Sequence, residues 1–431
     1  MLAAEASAAP SIDLETIRRQ FPALSATDNG AARIYFDNPA GTQVPHQVAD
    51  RTAECLLQSN ANYGGYFRTS TLATAIVEEA RAAMADFVNA PSPQEIIFGQ
   101  SMTSITFHLA RSLGRFLNAG DEIIVSQMDH DANIQPWLLM ARDHELKVRW
   151  LPFNTHSYEF DLDVLDDLLS DRTRLVCVGG ASNLLGTIND INAICAKARG
   201  AGAWTFIDAV QSAPHIATDV QAIGCDFLAC SAYKFFGPHQ GIVWGRREVL
   251  EQLEPYRVRP APEEIPGCFE TGTLNHECMA GTTAAVDYFA WIGQALAGYK
   301  ASADSNFSAR TQHVHAAMHY LFTHEKTLAA RLVEGLQSLN GVIVRGITDP
   351  AAMDRRVSTV SFTHDGVAPD TVAESLAKRN IFVWSGHNYA LEVVKALDIL
   401  DSGSTVRVGA VHYNSVEEVD SLLNALEDVL R

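Results

Sequence analysis

The sequence predicts an α/β fold, with a large domain built on a mainly parallel sheet covered by helices and a smaller C-terminal αβ domain. Three observations carry this expectation. Short continuous apolar runs, the mark of strands buried on both faces, alternate with longer stretches of helical spacing. The chain has 431 residues, 47% of them hydrophobic and 19% charged, which is enough to bury a large core and more than one core usually organises. Its last stretch opens on an explicit helix start signal.

Taken in order, the strands expected in the large domain are Glu95 to Phe98, Glu122 to Val125, Leu175 to Val178, Trp204 to Asp208, Asp226 to Ser231 and Ile242 to Trp244. After Gly281 a helical stretch carrying Val286, Phe289, Trp291 and Ile292 leads out, and Phe307 to Phe322 continues the helical spacing. Val342 to Arg345, Val357 to Phe362, Ile381 to Trp384 and Thr405 to Val408 supply the strands of the second unit. Ser415-Val-Glu-Glu418 is a capping box, and Val419, Leu422, Leu423, Leu426, Val429 and Leu430 then share one face of a final helix. The expected division is an N-terminal segment, 1–34, packing with the small domain, a large domain, 35–294, and a small domain, 295–431.

Composition narrows the function classes. A formal charge of -19 repels nucleic acid and acidic membrane surfaces. No apolar run approaches the roughly 20 residues that cross a bilayer, and the Ala-rich start carries Glu5 and no basic region, so a cytoplasmic location is expected. The seven cysteines are odd in number and form no Cys-x-x-Cys pair, which argues against a disulfide scaffold or a zinc site. No metal is expected.

The chemistry is carried by Asp208 and Lys234, each at the end of an apolar run. Alone, the aspartate reads as a turn or cap and the lysine as a solvated loop residue. Together they match the two electronic handles of pyridoxal phosphate: a lysine forms the Schiff base with its aldehyde, and a carboxylate keeps its pyridine nitrogen protonated so that the ring withdraws electrons. Gln211 can donate to the cofactor's phenolic oxygen, and Ser231 and Tyr233 can hydrogen-bond its phosphate. Gly99-Gln-Ser101-Met102-Thr103-Ser104, as a bare motif, reads as the cap of a helix running through Leu113.

Through Ser231-Ala-Tyr-Lys234-Phe-Phe-Gly237-Pro238, the chain resembles the class V aminotransferases and, within them, the cysteine desulfurase branch. Further ordered segments carry the resemblance along nearly the whole length. Ser126-Gln-Met-Asp-His130 is similar to the segment whose histidine stacks on the pyridine ring, and Ser182-Asn183-Leu-Leu-Gly186 to the one whose asparagine touches cofactor and substrate. Thr405-Val-Arg407-Val-Gly resembles the segment whose arginine forks onto the substrate carboxylate. What the resemblance implies is a pyridoxal phosphate-dependent transferase fold of type I. It further implies phosphate contacts from Ser101, Met102 and Thr103, and an N-terminal loop with Ala40 and Gly41 against the substrate. Glu270-Thr-Gly272-Thr273 resembles the segment that reaches the phosphate from a partner subunit, which implies a homodimer with shared sites. Asn62 to Arg68 resembles the loop that closes over a neighbour's site, with Arg68 as an anion contact.

One departure outweighs these matches. Cysteine desulfurases carry a persulfide-forming cysteine just after a glycine-histidine pair, and the corresponding stretch here is Trp384-Ser-Gly386-His387-Asn388-Tyr389. Tyr389 stands at the cysteine position, and Trp384 replaces a usually basic residue. A phenol forms no persulfide. The expected substrate is an amino acid bound through Arg407, with Tyr389 beside it and Lys234 moving the Cα proton. Beta-elimination of a carbon–sulfur bond needs no protein thiol, so a lyase is the first reading. Transamination or epimerisation stays open beside it, as does a noncatalytic binding protein on the same fold.

Overall fold

The computed structural model describes residues 12–431, so part of the N-terminal segment expected at 1–34 lies outside the described residues. Seven strands form the large sheet, in the order Ile96–Gly99, Gly241–Gly245, Phe227–Ser231, Trp204–Asp208, Thr173–Gly179, Glu122–Ser126, Lys147–Leu151. The Gly241–Gly245 strand runs antiparallel to both neighbours, and every other pair is parallel. Helices cover both faces, so the central strands are buried throughout and read as apolar runs. The architecture is the expected α/β one, a mainly parallel sheet covered by helices with a smaller C-terminal unit.

Lys147–Leu151 is a strand that the apolar-run criterion misses. It lies at the sheet edge with one partner, and Lys147 and Arg149 keep charged groups at the solvent side, so no continuous apolar run is required. The helix expected after Gly281 instead spans His276–Trp291. Gly281 sits in its interior because a Cβ there would lie 2.6 Å from Thr52 Oγ1 and 3.1 Å from Pro238 Cγ, so its role is close packing and not a break. The next helix runs Ala309–Ser338, well past the expected end at Phe322.

A second, four-stranded sheet has the order Val342–Arg345, Thr359–His364, Thr405–Gly409, Trp384–Gly386, with all pairs antiparallel. The single strand expected from Ile381 to Trp384 is two. Ile381 and Phe382 pair in parallel with Ile34 and Tyr35, while Trp384–Gly386 pairs with Thr405–Gly409. The expected start at Val357 moves to Thr359, since the Val357 N–H bonds to Gly186 of the large sheet's loops. In the final helix, Val416–Val429, the Ser415 and Glu418 side chains cap each other's backbone as the sequence requires, and Val419, Leu422 and Leu426 are fully buried.

The two units are joined by an aromatic cluster outside the sheets. Phe21 sets its ring edge-on against Phe236 and Tyr288 on one side and Tyr413 on the other, contacts of about 0.5–1.5 kcal/mol each. Arg18 donates to Glu418 and to the Tyr413 carbonyl. The described N-terminal residues therefore touch both units and not the small sheet alone. Arg356 is fully buried and gives its guanidinium to the carbonyls of Ile347, Leu185 and Thr359, tying the loop after Asn183 to the second sheet.

Candidate active site

A cavity of about 290 Å³ lies at the C-terminal ends of the parallel strands, closed on one side by the second sheet. Ligands collect at such strand ends because successive loops diverge there. The floor is built from strand-end residues. Asp208 is the last residue of its strand; its carboxylate is buried and accepts from the Val210 N–H at 2.9 Å. Burial pushes its pKa up to about 6, with the Lys234 charge pulling the other way. Lys234 ends the short turn Ala232–Lys234 that follows the neighbouring strand. Its Nζ donates to the carbonyls of Pro39 at 2.5 Å and Ala40 at 3.0 Å. Burial, then the Arg407 charge, pull its pKa down to about 7, against Asp208 and Asp37.

His130 lies beside them. Its Nδ1 accepts from the Ala132 N–H at 3.0 Å, so a neutral ring carries its proton on Nε2. Burial, with Lys234 and Arg407 nearby, lowers its pKa to about 4, so the ring is neutral at physiological pH. Asp129, just before it, lines the cavity and was not singled out from the sequence. Its carboxylate accepts from Ser126 Oγ, Asn133 Nδ2 and the Gly179 N–H, and burial followed by the Asp208 charge raises its pKa to about 7. Its adjacency to His130 was the available signal.

The second sheet supplies the opposite wall. Arg407 donates through Nη1 to the Asn183 carbonyl at 3.0 Å, and burial lowers its pKa to about 10. Asn183 Nδ2 donates in turn to the Asn388 carbonyl at 2.8 Å. Tyr389 stacks on His130 with ring centroids 5.1 Å apart and planes 22° off parallel. Met102 and Thr103, at the first turn of the Met102–Phe116 helix, complete one end together with Ser231 and Tyr233. That helix end is pressed close to the sheet: a Cβ on Gly241 would lie 2.1 Å from the Ser101 carbonyl carbon, a space only glycine leaves open.

Four expected residues sit elsewhere. Ser101 is the exposed cap of the helix, its Oγ accepting from the Ser104 N–H, and is not on the cavity wall. Gly41 lies behind Ala40 against the Tyr233 ring. Arg68 and Thr273 are exposed and outside this cavity within the single chain. Gln211 lines it, with one of its two amide hydrogens already donated to Thr359 Oγ1. None of the cysteines lines the cavity; six are buried and Cys278 is half-buried.

The residues present fit pyridoxal phosphate. Asn183 Oδ1, Asn388 Oδ1 and Arg407 Nε are buried without a hydrogen-bond partner on one wall of one cavity, a demand that a ligand with both donors and acceptors meets. A buried carboxylate gains from a cationic neighbour, and a protonated pyridine nitrogen is one. The first N–H groups of a helix are free of intrahelical partners and suit a phosphate.

Fold and cavity together define a pyridoxal phosphate-dependent enzyme of fold type I. The description Aminotransferase class-V matches residues 34–305 and 306–422, and the chain belongs to that family, in its cysteine desulfurase-like branch. The aminotransferase-like protein FGM3 of Gibberella zeae is 35% identical over 430 residues, spanning 97% of this chain and 99% of that one. A probable cysteine desulfurase of Streptomyces coelicolor is 32% identical, spanning 97% of each. Among solved structures, the apo cysteine desulfurase of Thermococcus onnurineus superposes with a TM-score of 0.85 at 28% identity, over 98% of this chain and 99% of that one. Among the described residues no helix is long and apolar enough to cross a membrane.

Proposed function

We propose that this enzyme cleaves the carbon–sulfur bond of an S-substituted cysteine by beta-elimination. The observation that carries the reading is the aromatic Tyr389 at the mobile-thiol position, in a cavity lined by no cysteine. Pyridoxal phosphate supplies an electron sink at the substrate Cα. Around that sink, Arg407 binds the substrate carboxylate through its unpartnered Nε and the rest of its fork. Asn183 orients both Arg407 and the loop holding Asn388. Asp208 holds positive charge at the cavity floor, and His130 flanks it as a neutral ring. Met102, Thr103, Ser231 and Tyr233 bind the anionic end, with Gln211 donating its remaining N–H.

Lys234 Nζ, with a pKa near 7, takes the Cα proton as the C–S bond breaks with its electron pair on sulfur. The net reaction consumes one water and yields thiol, pyruvate and ammonium, with no external oxidant or reductant. In this reading the enzyme is a cytoplasmic homodimer in which the exposed Arg68 and Thr273 serve the partner's cavity. The test incubates holoenzyme with S-substituted cysteines and L-cysteine, following pyruvate, thiol and, by alkylation and mass spectrometry, protein persulfide. Equal yields of thiol and pyruvate without persulfide are expected. Stoichiometric persulfide on Cys268, Cys278 or another cysteine overturns the reading, and an oxo acid retaining its sulfur, or inverted amino acid, replaces it with transamination or epimerisation.

A further inference from the structure

With carboxylate and amine assigned to Arg407 and Lys234, the cavity wall beside Arg407 is the place to look for what meets the substrate's side chain. Trp384 and Arg407 are directly opposed in the antiparallel pair of strands, so their side chains leave the sheet on the same face with Cβ atoms about 5 Å apart. Both line the cavity. Trp384 is therefore the neighbour of Arg407 on the cavity wall, beside the place where a carboxylate held by Arg407 would sit.

Tyr389 lines the same cavity. It and Asn388 both occupy the left-handed region, with φ of 58° and 50°, an uncommon conformation for a tyrosine. Three hydrogen bonds hold it there: Asp131 N–H to the Tyr389 carbonyl, Asn183 Nδ2 to the Asn388 carbonyl, and Tyr389 N–H to His387 Nδ1. These bonds fix the loop's backbone, and the phenol ring it carries lies on His130. Trp384 is nonetheless 53% exposed and Tyr389 65% exposed. Two large rings held open at the mouth of a cavity leave apolar surface that a small substrate would not cover and a planar group would.

We propose that the substrate side chain carries an aromatic ring and that Trp384 and Tyr389 form the ring's pocket. The inference rests on the assignment of Arg407 as carboxylate anchor, and under the lyase reading it makes the leaving group an arylthiol.

Holoenzyme is titrated with L-phenylalanine and L-alanine, reading binding by calorimetry and by indole fluorescence, and S-phenyl-L-cysteine and S-methyl-L-cysteine are compared by KM where they turn over and by titration where they do not. The aromatic member of each pair binds about tenfold tighter or better, the gain from stacking and partly burying one ring. Trp384→Ala and Tyr389→Ala each lower that ratio several-fold, while Trp384→Phe and Tyr389→Phe keep most of it. Equal binding of the aromatic and aliphatic members by the parent protein overturns the inference. So does a Trp384→Ala protein that keeps the ratio, and a change in its oligomeric state then shows that the ring covers a partner and not a substrate. Tight binding of S-phenyl-L-cysteine without release of thiol and pyruvate leaves the ring pocket standing and rejects the lyase reading, so the two failures are distinguishable.

Discussion

The two walls of the cavity are built differently. The floor, with Asp208, Lys234 and His130, hangs from parallel strands buried on both faces, and its ionisable groups are shifted by burial. The opposite wall comes from an antiparallel sheet whose last strand, Trp384–Gly386, is a short edge, and from a loop with exposed aromatic rings. A buried floor shifts pKa values and so suits proton chemistry. An exposed edge changes its side chains at little cost in stability and so suits selection of substrate. The proposed division is that the floor sets the reaction and the wall sets what reacts.

The strongest way to break that division is to remove the floor's amine. Lys234→Ala is expected to lower turnover by at least about 10⁴-fold, since attachment and proton transfer are lost together. Borohydride reduction of the parent followed by peptide mapping checks the same residue: the pyridoxyl group is expected on Lys234 alone. On the wall, Arg407→Ala should raise KM and cost about 2 to 5 kcal/mol in kcat/KM, the usual loss of a desolvated charge-paired contact. Amino acids and their decarboxylated amines binding the parent equally well would count against this role.

Asp208→Asn should act in the opposite sense, lowering kcat by about 10²-fold with cofactor absorbance retained and KM little changed, as expected when one charge near the reacting centre is removed. The smallest effect is in pH. The freed Lys234 amine is protonated below about pH 7 and cannot accept a proton, so turnover should rise about tenfold per unit as pH approaches 7 and then level. The Asp208 charge holds the Lys234 pKa up, so Asp208→Asn should move that inflection to lower pH.

How legible each wall was follows from the same contrast. Trp204–Asp208 and Phe227–Ser231 could be read because strands buried on both faces must be apolar throughout, and their polar ends then stand out. Lys147–Leu151 could not, because an edge strand alternates with charge. The split of Ile381 to Trp384 was equally hidden: Ile381 and Phe382 choose a partner near the N-terminus, and nothing local encodes that choice. In the site, the sequence did not show that the Ser101 hydroxyl caps its own helix, since that depends on the closed first turn.

By itself the sequence determined the α/β class, the cofactor and the residues at the ends of the central strands, because those depend on local periodicity and on side-chain chemistry. Tertiary structure decided which polar atoms are already satisfied and which are left for a ligand: Asn183, spent on Asn388 by its amide nitrogen but free at its oxygen, is such a case. It also decided that Trp384 faces the same way as Arg407 and that Tyr389 lies on His130. Register and stacking join residues far apart in the chain, and their free energy exists only once the chain has closed those loops.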